Sequence, residues 1–518
     1  MRKSVSRLAR RNEHSGMAEV VPRWEWRTFA GALPRADEVF DALTPVSVEE
    51  GDEVYLLAPD GDNVKVRGGL MDVKVLRETD AAGLQRWEPI LKAGFPLDAE
   101  AVGTVLHGLR RPAAVVPPDG LDFDGLLDAA GSAGDGPRVV RVHKRRARYT
   151  VAGCPAERTV VEAGGQRTTT IAAESIRPAD VLAAIDAMGL RDYCNLDVPV
   201  GLRLLVDRVP ERYAVIDAGT NSIKLHIAEL DADGHGPWRT VVDRAAVTRL
   251  GEGLEATGVI GAEPLERTAQ AISAMVDEAR GLDARAIALV ATAGVRMAGN
   301  RSEVVETVRA RSGLSLDVIS GEDEGRLAYL AVATGVGLGD GAIVAFDTGG
   351  GSSQFTFGHG PDVDERFSVN VGAVRFTEQF GLANAVSRDV VTDALATIAH
   401  ELARLDGRPR PDGVVAMGGA VTNLAAVKHG LATYDPDVVQ GTILDRAEID
   451  RQIEQYRTRN ADGRRGIVGL QPARAEVILA GACIVRTIID KLGCEAVTVS
   501  DRGLRHGVLI ERFGSGRR

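Results

Sequence analysis

Cysteine is scarce in this sequence: four residues in 518 (Cys154, Cys194, Cys483 and Cys494), with no CxxC pair among them. That excludes a disulfide-stapled scaffold and a zinc ribbon, and scattered free thiols suit a reducing, cytoplasmic compartment. Aromatic residues make up only 4%, too few for base-stacking platforms. Net positive charge is missing as well, since 62 Lys and Arg stand against 73 Asp and Glu, a balance of −11. Nucleic acid is therefore a poor partner for the chain as a whole, and any polyanion must be held by a local basic site. No window approaches 18 uncharged apolar residues, so neither a membrane span nor a membrane partner is expected. The basic start, MRKSVSRLARRN, lacks the apolar stretch of a secretory signal, and residues 1–17 read as a loose tail.

Hydrophobic residues at 44% and charged residues at 26% give the composition of ordinary globular domains. From Val20 to about Val206 short alternating strands are separated by turn signals such as Pro59-Asp60-Gly61-Asp62 and Pro118-Asp119-Gly120. One helix is predicted there, over about 178–188. After Tyr213 strands alternate with longer helical stretches at 263–280, 302–311, 322–333, 387–405 and 473–491. Ser302 and Ser387 are candidate N-caps, and Gly313 and Gly493 candidate stops. Apolar runs at 286–291, 342–346 and 413–417 read as buried strands. A β-rich unit over 18–206 is thus expected to precede an α/β unit, with a boundary near 206–212.

The most informative segment is Tyr213-Ala-Val-Ile-Asp217-Ala-Gly219-Thr220-Asn221-Ser222-Ile-Lys224, a strand running through a glycine turn into a second strand. The same logic recurs at Ile343-Val-Ala-Phe-Asp347-Thr-Gly349-Gly350-Gly351-Ser352-Ser353-Gln354. Glycine lets backbone N–H groups approach an anion with no side chain in the way, and the hydroxyls of Thr220, Ser222, Ser352 and Ser353 add donors. Asp217 and Asp347 suit a hydrated divalent cation, because Mg²⁺ keeps several of its waters. One Asp-x-Gly turn is an ordinary hairpin, but two in the same setting point to a paired phosphate grip. Three segments accompany them: Ala291-Thr292-Ala-Gly-Val-Arg296-Met-Ala-Gly-Asn300, Ile319-Ser320-Gly321-Glu322-Asp323-Glu324-Gly325-Arg326-Leu, and a third glycine turn, Gly418-Gly419. Acids in a first helical turn commonly just complement the helix dipole; here a carboxylate base is also wanted.

At these residues the chain resembles the Ppx/GppA phosphatases, the exopolyphosphatase and guanosine pentaphosphate phosphatase family. The likeness runs from about Tyr213 to Phe513 and includes Val371-Gly372-Ala373-Val374-Arg375 and Ser500-Asp-Arg-Gly503-Leu504-Arg505-His-Gly507. It implies a two-lobed actin/Hsp70-like ATPase-type fold, with lobes at about 213–335 and 340–518 and the last helix returning to the first lobe. It further implies Glu324 as general base, with Asp323 as its competitor, and Arg296 as a neutraliser of phosphate charge. Asp217 and Asp347 would hold Mg²⁺ or Mn²⁺. Gly219, Thr220, Asn221, Ser222, Lys224, Gly349, Gly350, Gly351, Ser352, Ser353, Arg375, Gly418 and Gly419 would bind phosphate. Two departures stand out. Gln354 occupies a place where the family usually has Glu, and the chain resembles the short members that lack a C-terminal helical extension.

Arg23, Glu25 and Arg27 share one face of the opening strand; Lys65 with Arg67, Lys74, and Lys144 with Arg146 and Arg148 follow on later strands. This region, about 20–205, resembles a diverged CYTH domain, the triphosphate-tunnel barrel, with few metal-binding acids. The expectation is an anion site that binds polyphosphate or a nucleotide without hydrolysing it. The whole chain then reads as a Mg²⁺-dependent exopolyphosphatase. Alternatives are a phosphohydrolase of guanosine pentaphosphate or nucleoside triphosphates, and a catalytically weak polyphosphate or alarmone sensor. A homodimer is compatible with the resemblance.

Overall fold

Eight antiparallel strands close on themselves in the N-terminal part of the chain. They are β1 (Arg23–Ala30), β2 (Ser47–Leu57), β3 (Asn63–Arg67), β4 (Leu70–Thr79), β5 (Gln85–Gly94), β6 (Arg138–Val151), β7 (Cys154–Ala163) and β8 (Gln166–Ser175). Their order is β1-β5-β4-β3-β2-β6-β7-β8, and β8 returns to β1 in a register running from Trp24 opposite Ser175 to Ala30 opposite Thr169. Closure removes the sheet edges that an open sheet must protect. The computed structural model describes residues 22–131, 136–220, 222–230, 238–335, 341–360 and 362–514. They divide into two units: Met1–Arg212 with Glu229–Arg239 and Asp283–Ala286, and the remainder of the chain. The expected tail at 1–17 and Asn221 lie outside the described residues.

Alternation along each barrel strand sets its chemistry. Phe29, Leu57, Val140, Val142, Val161 and Ala163 cluster with Leu202 and Leu205 of the helix Val198–Val206. Two residues further along the same faces stand Arg27, Tyr55, Lys144 and Thr159. One stretch of the lumen is therefore apolar and packed by a helix, and the next is polar. Besides Val198–Val206, three helices in this unit were not expected: Pro34–Asp41, Ala99–Gly108 and Phe123–Ala130. The last two start on Asp98 and Asp122, whose side chains accept from Ala101 N–H (2.9 Å) and Gly125 N–H (2.8 Å). Those aspartates read as loop residues because their capping role depends on the helices that follow.

The second unit carries two mixed sheets. The first holds β9 (Glu211–Ala218), β10 (Ser222–Leu230), β11 (Arg239–Val247), β12 (Ala284–Ala291) and β13 (Asp317–Val318), in the order β11-β10-β9-β12-β13. The second holds β14 (Ala342–Thr348), β15 (Ser353–His359), β16 (Asp362–Val369), β17 (Gly413–Met417), β18 (Ile443–Asp445) and β19 (Ala496–Val499), in the order β16-β15-β14-β17-β19-β18. In both, three successive strands lie in reverse order and the chain then crosses to the far side of the first of them. That is one architecture used twice. The expected N-cap at Ser302 is displaced: the helix Arg301–Ser312 starts after Asn300, whose amide is spent on the backbone N–H and carbonyl of Ile260 (2.9 Å each). Ser387 does cap, accepting from Val390 N–H. The stretch 473–491 is a single 3₁₀ turn, Pro472–Arg474, and then a helix, Ile478–Lys491. That helix is buried almost all round, so no amphipathic stripe marks its start. Among the described residues no helix is long and apolar enough to cross a membrane.

The helix Gly321–Gly335 is wedged between two partners. Its Tyr329 lies on Gly358 of β15, where a Cβ would come within 2.7 Å of the ring. On its other side Gly507, in the helix Leu504–Phe513, meets the Leu327 carbonyl so closely that no Cβ fits. Phe513 of that last helix stacks on Tyr213 of β9 with ring centroids 5.0 Å apart. Gly507→Ala should therefore cost about 2–3 kcal/mol by overpacking and lower the thermal midpoint by roughly 4–10 °C. Calorimetry that found an unshifted midpoint would mean these helices do not meet at Gly507.

Candidate functional site

The two glycine turns fold alike. Gly219 N–H donates to the Ser222 carbonyl (3.2 Å), and Gly349 N–H donates to the Ser352 carbonyl (2.9 Å). In each loop the donor lies two residues after the aspartate and the acceptor five. The turns are also buttressed alike by glycines from elsewhere. Gly251 N–H donates to the Thr220 carbonyl (2.8 Å), and Gly294 sits where a Cβ would lie 2.8 Å from Thr220 Oγ1. Ala373 and Val374 N–H donate to the carbonyls of Gly349 (2.9 Å) and Gly350 (2.8 Å), while Gly372 packs on the backbone of Gly350 and Gly351. Gly418, at φ +90°, faces the Asp347 carboxylate with no room for a side chain. Its neighbour Gly419 starts the helix Gly419–His429.

Asp217, buried, stands at the end of β9, and Asp347, half-buried, at the end of β14. Burial pushes both carboxyls above their ordinary range, and Glu324 adds to the rise at each. Lys224 pulls both down, helped by Arg505 at Asp217 and by Arg474 at Asp347. Two aspartates that respond to the same lysine and the same glutamate share one electrostatic environment. Asp217 Oδ1 is buried, and among the described residues it has no hydrogen-bond partner. Among the described residues no cluster of three or more His, Cys, Asp or Glu forms a ready-made metal cage. The donor set is instead two carboxylates, which fits a hard cation that keeps water and takes phosphate oxygens as its other ligands.

The two candidate bases have different surroundings. Asp323 is engaged in its own helix start: Ser320 Oγ donates to its carboxylate (2.9 Å) and accepts from its N–H (3.0 Å). Glu324, next along, lies 3.3 Å from Arg296 Nη1, which also donates to the Ile319 carbonyl (2.9 Å). Several expected phosphate ligands are otherwise occupied. The Ser353 hydroxyl is buried and donates to the Val371 carbonyl (2.7 Å). The Arg375 guanidinium is paired with Glu401, and its N–H joins the buttress of Gly350. Ser352 Oγ accepts from the Gln354 amide (2.8 Å). Two cations were missed. Arg505 belongs to a motif whose role the sequence does not state, and it reaches Asp243 and the Leu225 carbonyl beside Asp217. Arg474 stacks over Gly419 beside Asp347, and nothing in its local sequence singles it out.

In the barrel the basic residues do not stand alone. Lys144 Nζ lies 3.0 Å from Glu53 and 2.6 Å from Tyr55 Oη, and Tyr55 donates to Glu53 (2.7 Å). Lys65 is 3.4 Å from the same carboxylate, and Arg67 and Arg146 are each 3.8 Å from its other oxygen. Arg27 bridges Glu25 and Glu157 (2.8 Å each), and Arg146 also reaches Glu157 (3.1 Å). Lys74 is near enough to help lower the Lys65 ammonium, which burial already depresses. Glu25, Glu53, Asp72 and Glu157 interleave with the cations as ion-pair partners, because neighbouring strands bring them to one face. Arg23 and Arg148 lie outside this cluster, exposed and paired with Glu174 and Glu49. Burial lowers the Lys144 ammonium to about 7, against the pull of Glu53.

A family model, that of the Ppx/GppA phosphatase family, matches residues 227–515. Exopolyphosphatase 2 of Mycobacterium tuberculosis is 27% identical over 324 residues, covering 58% of this chain and 99% of the relative. Exopolyphosphatase 1 of the same organism is 27% identical over 309 residues, covering 59% of this chain and 89% of that protein. The crystal structure of the Aquifex aeolicus Ppx/GppA phosphatase, type II variant, superposes with a TM-score of 0.55 at 32% identity, covering 58% of this chain and 99% of that one. The barrel lies outside the family match.

An amine that ionises near 7 gains its proton when a polyanion arrives. Titrating the full chain with tripolyphosphate at pH 8, in buffers of different ionisation enthalpy, should show proton uptake that shrinks at pH 6 and disappears in Lys144→Met. Uptake unchanged in the variant would remove Lys144 from any anion site.

Proposed function

This chain belongs to the Ppx/GppA phosphatase family, and we propose that it is a Mg²⁺-dependent exopolyphosphatase releasing terminal phosphate from inorganic polyphosphate. Membership makes it a phosphoanhydride hydrolase, and its C-terminal unit has the two-lobed actin/Hsp70-type ATPase fold. The observation that carries the finer reading is the common environment of Asp217, Asp347, Lys224 and Glu324.

In this reading the backbone N–H groups of the two glycine turns and Lys224 bind the terminal phosphates. Arg296 neutralises charge on the reacting group, and its contact with Glu324 keeps that carboxylate oriented. Glu324 takes a proton from a water as the water oxygen bonds to the terminal phosphorus and the bridging P–O bond breaks, leaving a chain one phosphate shorter. Asp217 and Asp347 would hold Mg²⁺ (or Mn²⁺), which neutralises phosphate oxygens and the developing charge. Asp323 holds the Ser320 hydroxyl that caps the helix and takes no part. Gln354 favours one competing reading, a weak catalyst acting as a polyphosphate or alarmone sensor, since it puts an amide beside the second loop. The barrel, with its ring of paired cations, binds polyphosphate without hydrolysing it. The four free cysteines support a cytoplasmic setting.

Phosphate release measured on polyphosphate, guanosine pentaphosphate and ATP, with and without Mg²⁺, tests the assignment. Glu324→Gln should lower the polyphosphate rate by about 10²–10⁴. Asp323→Ala should keep the rate within a few-fold and cost about 1 kcal/mol of stability through the lost hydrogen bond from the Ser320 hydroxyl. A full rate in Glu324→Gln would move the base elsewhere, and binding with no release from any substrate would favour the sensor.

A further inference from the structure

Arg366 stands on β16 opposite Thr356 of β15. Its side chain lies flat across the first turn of the helix Gly321–Gly335, over Gly325, where any Cβ would collide with its Cδ and guanidinium. Its Nη2 comes within 3.3 Å of the point where a Cβ of Gly321 would stand, and Nη2 of Arg296 comes within 3.5 Å of that same point. Two guanidinium groups, one from each half of the C-terminal unit, thus flank a single spot beside Glu324.

Three acids, Glu322, Asp323 and Glu324, stand in that first turn: Glu324 pairs with Arg296, and Asp323 with Ser320 and Arg326. Among the described residues no hydrogen bond or ion pair engages the Arg366 guanidinium. The acid next to it in sequence, Glu365, is taken by Arg404 (3.1 Å) and by Arg408 (2.8 Å). Glu324 is the single carboxylate paired with Arg296. Arg366 is exposed, so its guanidinium takes up an anion that Arg296 also reaches without breaking an internal pair of its own. A guanidinium stays charged at any working pH and presents a planar fork that matches two phosphate oxygens.

We infer that Arg366 is a substrate-binding residue, closing with Arg296 as a two-arginine clamp on the phosphate groups at the reacting end of a polyphosphate chain. Gly325 is the residue that makes room for it. The inference deepens the hydrolase reading above and rests on Glu324 and Arg296 being the reacting centre.

Two substitutions in the full chain separate charge from position. Arg366→Gln keeps most of the length and removes the charge. Gly325→Ala keeps the charge and displaces the side chain, at a helix position that alanine otherwise favours. Both should reduce kcat/KM for polyphosphate, by about 10- to 100-fold for Arg366→Gln, the worth of one charge-assisted contact. The loss should fall mainly on KM, with thermal midpoints at or above that of the unsubstituted protein. Arg366→Lys should recover part of it, and Arg404→Gln should leave both constants unchanged. Wild-type KM in Arg366→Gln and Gly325→Ala, alongside an inactive Glu324→Gln, would overturn the clamp alone. An active Glu324→Gln would overturn the clamp together with the reading beneath it.

Discussion

Asp217 and Asp347 are held near one lysine, Lys224, and one glutamate, Glu324, and the C-terminal unit is organised to keep them there. Buried acids near one another resist ionisation, and in water such groups would move apart. Here they cannot. Each aspartate ends a central strand, and each adjoining turn is fixed by backbone hydrogen bonds from other segments. Glu324 rides on a helix pressed between β15 and the last helix. A site strained by its own negative charge is ready for cations, whether Arg296 and Lys224 from the chain or a divalent ion from solution.

The duplication explains how two distant stretches of chain come to act together. Both sheets use the same strand order, and both place an aspartate-headed glycine turn between the first strand and its hairpin partner. The duplicates are not equivalent in detail. The first turn is buttressed by Gly251 and Gly294 around Thr220, the second by Gly372 around Gly350 and by Gly418 against Asp347. Where the backbone approaches this closely glycine is the only residue that fits, which gives part of the chain's 59 glycines a packing reason.

The barrel solves a different problem with similar groups. Its lumen holds Arg27, Lys65, Lys144 and Arg146 against Glu25, Glu53 and Glu157, next to an apolar stretch filled by the helix Val198–Val206. Burial alone would raise the Glu157 carboxyl, yet Arg27 and Arg146 bring it down to about 2. Cations held by internal carboxylates remain in place when no ligand is bound. An incoming polyanion must then compete with those carboxylates, which favours multivalent phosphate over simple monoanions.

The amino-acid order alone determined the two glycine turns, the aspartates that open them, the change from β-rich to α/β near residue 210 and the short list of candidate bases. Each of these rests on local rules: residue type, spacing and alternation. Tertiary structure decided the rest. It tied Asp323 to the capping Ser320 and set Glu324 near enough to act on both aspartates, because which of two adjacent helical residues faces a site depends on how the helix docks. It buried Ser353, tied Arg375 to Glu401, and set Glu53 and Glu157 among the barrel's cations through contacts up to 130 residues apart in sequence. It also brought Arg474 and Arg505 near the aspartates, Arg474 from a segment with no local signal and Arg505 from a motif whose role the sequence leaves unstated, since electrostatic neighbourhood is a property of the folded chain and not of its order.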